Sequence, residues 1–178
     1  LLTEPKVCEL AGAGLDFAQI TLESVIPEVH DKMVGAEGAW AETVDGIRNA
    51  ASRIYTTTNT TITMDNADTV LETIKFIKSL GVEKFGLNAL IRSRRGASHE
   101  GLEPPELKTL LEEVIGTSAD EDFPFIWYTP TCYKELNHVA LALGVKTCSA
   151  AGTVMAIEPD GHVMPCQSYY KSIEIGRA

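Results

Sequence analysis

The sequence predicts an α/β fold built on a parallel sheet and followed by a short antiparallel hairpin. Three runs that alternate apolar and polar residues, 16–24, 54–61 and 84–92, are each followed by a helical pattern. Two further β-forming runs flank a strong turn sequence at 158–161, which predicts the hairpin. Strands that alternate with helices pair in parallel through right-handed crossovers, so an α/β barrel, a half-barrel and a doubly wound sheet all fit this order.

The three predicted helices each place apolar residues on one face and carry ordinary end signals. They span residues 38–52, 66–80 and 104–115. The second and third helices begin with asparagine and proline respectively, and a glycine follows the last residue of each. These signals are Asn66 and Pro104 at the starts and Gly81 and Gly116 at the ends.

The predicted strands have one apolar and one polar face. In the first strand Ala18, Ile20 and Leu22 alternate with polar residues. A doubly wound sheet is apolar on both faces, and a closed eight-stranded barrel fills its interior with branched side chains, so inward polar groups favour an open lumen that holds a polar ligand. The second strand carries threonines in both phases, which leaves its facing open. The polar phase comprises Gln19, Thr21, Glu23, Thr57, Asn59, Thr61, Asn88 and Arg92.

The pattern changes after about residue 130. Residues 123–129 read as a fourth strand, and a short helix at 133–143 precedes the hairpin arms at 153–157 and 162–166. The βα alternation therefore stops before the hairpin. We predict two units, residues 1–130 and residues 131–178.

The composition is that of an ordinary globular protein and argues against several partners. A net charge of −10 and a pI near 4.8 would repel a phosphate backbone, so no nucleic acid is expected and a peptide or small-molecule substrate is favoured. No apolar run approaches the roughly 20 residues of a membrane helix, and sparse cysteines without a CxxC pair fit a reducing, cytoplasmic setting. Without an initiator methionine we expect an internal piece, whose bare sheet edge a second copy would cover as a homodimer.

Two of the four cysteines bracket the predicted hairpin. Cys148 and Cys166 stand in a Cys-x12-Gly-x4-Cys arrangement around Gly161. Soft thiolates suit iron-sulfur clusters, and a glycine turn brings cysteines from both arms toward one point. The alternative is two unrelated buried cysteines, since two thiolates do not complete a four-ligand site. Cys8 shares a helical apolar face with Val7 and is expected in the core.

Several passages resemble the radical S-adenosylmethionine proteins, and they occur in that family's order. GLDFAQITLES at 14–24, PEVHDKMVG at 27–35 and GIRN at 46–49 resemble the fourth strand and fourth helix of the family's barrel. TTTNTTI at 56–62 resembles the fifth strand and FGLN at 85–88 the sixth. The cysteine hairpin resembles the opening of a SPASM or twitch domain. The resemblance implies the second half of a partial (β/α)6 TIM-like barrel followed by a β-hairpin of an auxiliary domain.

The resemblance also implies a function for the intact protein. It would be an iron-sulfur oxidoreductase that reductively cleaves S-adenosylmethionine to a 5′-deoxyadenosyl radical for hydrogen abstraction, in peptide, haem or cofactor maturation. Its cofactors would be S-adenosylmethionine, a radical [4Fe-4S] cluster and an auxiliary [4Fe-4S] cluster, and a reducing electron donor would be its partner. The implied cofactor-binding residues are Glu23, Ser24, Asn59, Thr61, Asn88 and Arg92, and the implied auxiliary-cluster ligands are Cys148 and Cys166.

The residue chemistry leaves alternatives open. Glu23 and Ser24 would otherwise be strand-end caps, and the lumen amides buried scaffolding. The family's Cys-x3-Cys-x2-Cys loop is absent, so this chain alone is expected to be inactive. The residues after Cys166 include no acid at the position where sulfatase-maturing relatives carry one, which argues against that activity. His30 and His138 lack a second imidazole at ligand spacing and are expected as caps or surface residues.

Two other classes of protein remain as rivals. An ordinary barrel lyase is disfavoured because no lysine is predicted to point into the lumen to form a Schiff base. A non-catalytic metal-binding or interaction domain is the other alternative.

Overall fold

A computed structural model describes residues 2–91, 94–129, 150–166 and 176–177. Its centre is a four-stranded sheet in the order β1-β2-β3-β4, with all three pairs of neighbours parallel. This confirms the predicted α/β fold with a parallel sheet. The strands are β1 Phe17–Thr21, β2 Tyr55–Ile62, β3 Lys84–Ala89 and β4 Phe125–Trp127.

Helices connect successive strands, as expected for parallel pairing. Two short 3-10 turns, Ala67–Thr69 and Arg94–Ser98, precede α4 and α5 respectively. The predicted helices at 38–52 and 66–80 correspond to α3 and to the first of these turns with α4. The helices are α1 Glu4–Gly12, α2 Pro27–Val34, α3 Ala39–Ala51, α4 Val70–Ser79 and α5 Pro104–Asp120.

The hydrophobic core lies between one face of the sheet and helices α3, α4 and α5. Leu22, Ile62 and Phe85 on this apolar face are almost fully buried. They belong to one cluster with apolar residues of the three helices. The helical members of the cluster are Val44, Ile47, Val70, Ile74, Ile77, Leu107, Leu110, Leu111 and Val114.

Three local predictions differ from the structure. α5 runs past Gly116 to Asp120, because a glycine inside a helix costs only about 1 kcal/mol relative to alanine and Leu110 and Val114 already bury this helix. Asn66 stands at the predicted N-cap position but its side chain makes no cap hydrogen bond, since it joins the ends of β1 and β2 instead. Cys8 is exposed, because successive helical residues point about 100° apart and its neighbour Val7 takes the buried position.

The hairpin pairs β5 with β6 in antiparallel register, with Ile157 opposite Val163. The Gly161 N–H donates to the Glu158 carbonyl at 2.9 Å, which closes the predicted turn. A third short strand, β7, pairs with β6. Both the hairpin and its turn were predicted, whereas β7 was not. These strands are β5 Ala156–Ile157, β6 His162–Met164 and β7 Gly176–Arg177.

The chain folds back on itself just before the hairpin. Ala151 has a left-handed backbone with φ 57°, and its N–H donates to the Pro165 carbonyl at 2.9 Å. Residue 151 therefore lies beside the residue that precedes Cys166. The predicted helix at 133–143, the predicted domain boundary, His138 and Cys148 lie outside the described residues.

Candidate functional site

The face of the sheet opposite the core carries most of the polar residues predicted for the lumen, and we call it the polar face. Strand register places Gln19 beside Thr57 and Thr57 beside Lys84, and places Thr21 beside Asn59. The alternation of side chains along each strand then puts Thr61 and Asn88, which pair with each other, on the same face. The register therefore resolves the facing of β2 in favour of the predicted polar lining.

Lys84 belongs to this phase as well, because it lies two residues before Gly86 on β3. The prediction that no lysine points to this side of the sheet is therefore wrong. Lys84 opens β3, so it lies at the amino end of the polar face. The predicted ligand groups lie at the other end.

Two asparagines meet near the carboxyl ends of β2 and β3. The Asn88 side-chain amide donates to the Asn59 Oδ1 at 3.0 Å. Both side chains are half-buried. Each retains further hydrogen-bonding capacity, since a primary amide offers two donors and a carbonyl oxygen with two lone pairs.

Glu23 follows β1 at the same end of the sheet. Its Oε2 accepts the Thr61 N–H at 2.7 Å, which ties the β1 end to β2. Burial raises the pKa of the Glu23 carboxyl to about 7, while this hydrogen bond and the nearby His99 oppose the rise. A carboxyl of this kind changes its charge near neutral pH, which is a property often found at functional sites.

Ser24 is fully buried and its hydroxyl is engaged within the protein. The Ser24 Oγ accepts the Ile26 N–H at 3.0 Å and lies 3.2 Å from the Thr69 Oγ1. The Ser24 carbonyl accepts the Trp40 indole N–H at 3.2 Å. These contacts are compatible with the alternative interpretation of Ser24 as a strand-end cap, and its predicted role in cofactor binding stays a prediction.

His30 and Asp31 explain the local sequence after β1. His30 is 1% exposed, and its Nδ1 accepts the Glu23 backbone N–H at 3.1 Å. It is thus a buried cap and not a surface residue, and burial lowers its pKa although Asp31 opposes this. The Asp31 carboxylate accepts the Gly38 and Trp40 N–H groups at 2.6 and 2.7 Å, so it orders the start of α3.

Sequence reasoning missed a charged cluster beside Glu23. Asp65 accepts a hydrogen bond from Lys32 at 2.6 Å, and its other oxygen lies 3.2 Å from the His99 Nδ1. These two hydrogen bonds lower the pKa of the Asp65 carboxyl. The segment before α5 is also attached to the end of β2, because the Met64 N–H donates to the Glu100 carbonyl at 2.8 Å. No spacing in the sequence indicates this cluster, since its members come from three separate connections.

Other predicted site residues are placed only in part. Arg92 and Cys148 lie outside the described residues, and Cys166 is a half-buried free cysteine. Within the described part of the chain, no three histidine, cysteine, aspartate or glutamate side chains are grouped to hold a metal ion. None of the described helices is long and apolar enough to cross a membrane.

A groove of about 500 Å³ lies on the helical side of the sheet, between α4 and α5. Leu71, Leu102 and Leu110 contribute apolar surface, and Asp68 and Glu106 contribute charge. These helices pack on the apolar face, so the groove is separate from the carboxyl-end residues described above. We do not assign it to the candidate site.

Comparisons with known proteins agree with this architecture. No family model matches the chain. An AdoMet-dependent heme synthase from Methanosarcina barkeri is 26% identical over 112 residues, which are 62% of this chain and 32% of that protein. The chain thus spans about a third of the length of this curated relative.

Solved structures of SuiB from Streptococcus suis share the fold. The structure bound to S-adenosylmethionine matches with a TM-score of 0.73 and 15% identity, over 98% of this chain and 43% of SuiB. The structure bound to the precursor peptide SuiA matches with a TM-score of 0.74 and 14% identity, over 94% and 40% of the two chains. The chain is therefore similar in sequence to an AdoMet-dependent heme synthase and shares the fold of SuiB, and both findings support the predicted resemblance to the radical S-adenosylmethionine superfamily.

Proposed function

We propose that the intact protein is a radical S-adenosylmethionine iron-sulfur oxidoreductase and that the carboxyl end of the polar face binds S-adenosylmethionine. The observation that carries the proposal is the convergence of polar groups from three successive strands. Glu23 is bonded to the Thr61 N–H, and Asn59 is bonded to Asn88. Parallel strands gather ligands at their carboxyl ends, so this is the expected place for the cofactor.

The residues present fit the polar parts of such a ligand. The Glu23 carboxylate offers acceptors for the ribose hydroxyls, and the two asparagine amides offer both donors and acceptors. Thr61 keeps Glu23 in place through its backbone N–H. Arg92 is proposed to meet a carboxylate of the ligand or substrate, because it is in phase with Asn88 in the sequence. When bound next to a reduced [4Fe-4S] cluster, S-adenosylmethionine supplies the 5′-deoxyadenosyl radical that abstracts hydrogen.

The proposed auxiliary cluster would be held in part by Cys148 and Cys166. The fold-back at Ala151 supports this part of the proposal, because it brings residue 151, three positions after Cys148 in the sequence, beside the residue before Cys166. Small residues at 149–152 leave space for a bulky inorganic group. A SPASM or twitch domain would provide the remaining ligands.

The proposed substrate class is a peptide or a precursor of haem or another cofactor. The names of the similar proteins point this way, since one is a heme synthase and the other is seen with a precursor peptide. The net charge of −10 agrees with a peptide or small molecule in preference to a nucleic acid.

Binding of S-adenosylmethionine to the full-length, anaerobically reconstituted protein tests the cofactor site. The Glu23→Gln replacement should weaken binding about tenfold. A hydrogen bond to a charged acceptor contributes about 1.5–3 kcal/mol, and the neutral glutamine oxygen retains only part of this energy. Glu37→Gln is the matched control, since Glu37 is exposed in the connection between α2 and α3. If wild-type protein shows no affinity for S-adenosylmethionine, or if both variants bind as wild type does, the proposed site is wrong.

Iron content tests the auxiliary cluster separately. The double replacement of Cys148 and Cys166 by alanine should remove about four iron atoms per chain and leave the radical cluster in place. Cys8→Ala is the matched control, because Cys8 is exposed on α1. Unchanged iron in the double variant would show that these cysteines are not ligands.

A further inference from the structure

Tyr128 occupies the polar face in a way that the strand pattern alone does not explain. It follows β4, and its N–H donates to the Leu87 carbonyl at 2.9 Å, so its backbone continues the parallel pairing with β3. Its ring then lies above Gly86. A Cβ added at Gly86 would be 2.3 Å from the Tyr128 Cε2, far inside contact distance. The ring therefore fills the space that any side chain at residue 86 would take.

The far end of the same ring reaches across the sheet. The Gln19 side chain on β1 lies near the Tyr128 hydroxyl, although β2 and β3 lie between their strands. Its polar interaction opposes the rise that burial causes in the pKa of the Tyr128 hydroxyl. The two outer strands thus approach each other over the polar face, which requires a sheet curved toward that side.

The residues of the polar face near Gln19 and Tyr128 differ in how far they are buried. Thr57 is on the polar face beside Gln19, yet it is only 3% exposed and its hydroxyl has no hydrogen-bond partner in the described residues. Asn59 and Asn88, nearer the carboxyl end, are half-buried. The asparagine pair is therefore more accessible than Thr57, and Tyr128, 40% exposed, borders this carboxyl-end part of the polar face.

We propose that Tyr128 is a ligand-contacting residue, whose ring packs against the adenosyl group of S-adenosylmethionine on the polar face. This inference rests on the proposed function and adds a residue from outside the family resemblance. Gly86 and Gln19 are positioning residues, because one leaves room for the ring and the other interacts with its hydroxyl. Aromatic rings stack on planar bases, and the ring borders the space next to the asparagine pair.

Affinities of the full-length reconstituted protein for S-adenosylmethionine, measured by equilibrium dialysis, test this role. Tyr128→Ala should weaken binding at least about fivefold, the lower limit for loss of one base-aromatic stack. Tyr128→Phe should bind within about twofold of wild type, because the ring is retained. Gly86→Ala should weaken binding as Tyr128→Ala does, since the new methyl group displaces the ring. Tyr55→Ala is the control, because Tyr55 is 45% exposed but stacks on Phe17 at the amino end of the sheet.

The outcomes separate this inference from the proposed function. If Glu23→Gln weakens binding but Tyr128→Ala does not, the ring makes no ligand contact and only this inference is overturned. If wild-type protein does not bind S-adenosylmethionine, both are overturned. If Tyr128→Ala fails to fold by circular dichroism, Tyr128→Leu decides, because it keeps apolar bulk without an aromatic ring. If the Tyr128→Leu protein binds S-adenosylmethionine as tightly as wild type does, the proposed stacking role is wrong.

Discussion

Replacement of Glu23 by glutamine should stabilise the protein at high pH and have no effect at low pH. Burial raises the pKa of the Glu23 carboxyl from 4.5 to about 7. Because each unit of pKa difference corresponds to about 1.4 kcal/mol, ionised Glu23 destabilises the native state by about 3 kcal/mol. Glutamine resembles the protonated carboxyl and still accepts the Thr61 N–H through its side-chain oxygen.

The sign of the effect follows from proton binding. Between pH 4.5 and about 7 the native state holds the Glu23 proton more tightly than the unfolded chain does. Its contribution to the free energy of unfolding is therefore fully present below pH 4.5 and is lost as the pH rises through about 7. Glu23→Gln should match wild type near pH 4 and exceed it by up to about 3 kcal/mol at pH 8.

Urea denaturation followed by circular dichroism at several pH values measures this difference. Comparing the two proteins at each pH removes the contribution of groups that do not interact with Glu23. Glu37→Gln is the matched control for the loss of one carboxylate, because Glu37 is exposed. A difference between Glu23→Gln and wild type that stays constant from pH 4 to pH 8 would refute the argument that burial controls the ionisation of Glu23.

Three further variants test the contacts around the site. Asp31→Ala removes the acceptor of two backbone N–H groups at the start of α3 and should lower the free energy of unfolding by about 1–2 kcal/mol in urea denaturation, whereas exposed Asp45→Ala should change it little. Asn66→Ala leaves three backbone groups at the β1 and β2 ends without partners and should cost about 3 kcal/mol or more in the same assay. His99→Ala should raise the pKa of Glu23 further, since His99 favours the ionised carboxyl, and an unchanged value by NMR titration would contradict that contact.

Local pattern was enough to predict the strands and most of the helices. The alternation of apolar and polar residues in β1 predicted that Ile20 and Leu22 face the opposite side of the sheet from Gln19 and Thr21. The structure places Ile20 and Leu22 toward the core. The hairpin was predictable because the turn sequence before His162 has few other conformations. Each of these features depends on residues close together in the sequence.

The contacts that shape the site were not predictable, because they join distant segments. Asn66 looks like a helix cap by position, but its amide binds carbonyls of both Glu23 and Thr61. His99 belongs to a connection with no periodic pattern. Only Gly86 gave a signal for Tyr128, since a glycine inside a strand often marks the close approach of another group. The placement of the predicted ligand residues on a bound cofactor stays a prediction.

The threonines of β2 show how one strand serves two different faces. On the apolar face, the Thr56 and Thr60 hydroxyls donate to the Ile54 and Leu22 carbonyls, so these side chains are buried with their hydroxyls satisfied by the backbone. Thr57 on the polar face and Thr58 on the apolar face are both buried, and neither hydroxyl has a hydrogen-bond partner among the described residues. A buried hydroxyl without a partner costs roughly 1–3 kcal/mol, and ionised Glu23 adds a cost of similar size. The cost of ionising buried Glu23 falls at the carboxyl end of the polar face, which is expected where side chains are arranged for a ligand and not for packing alone.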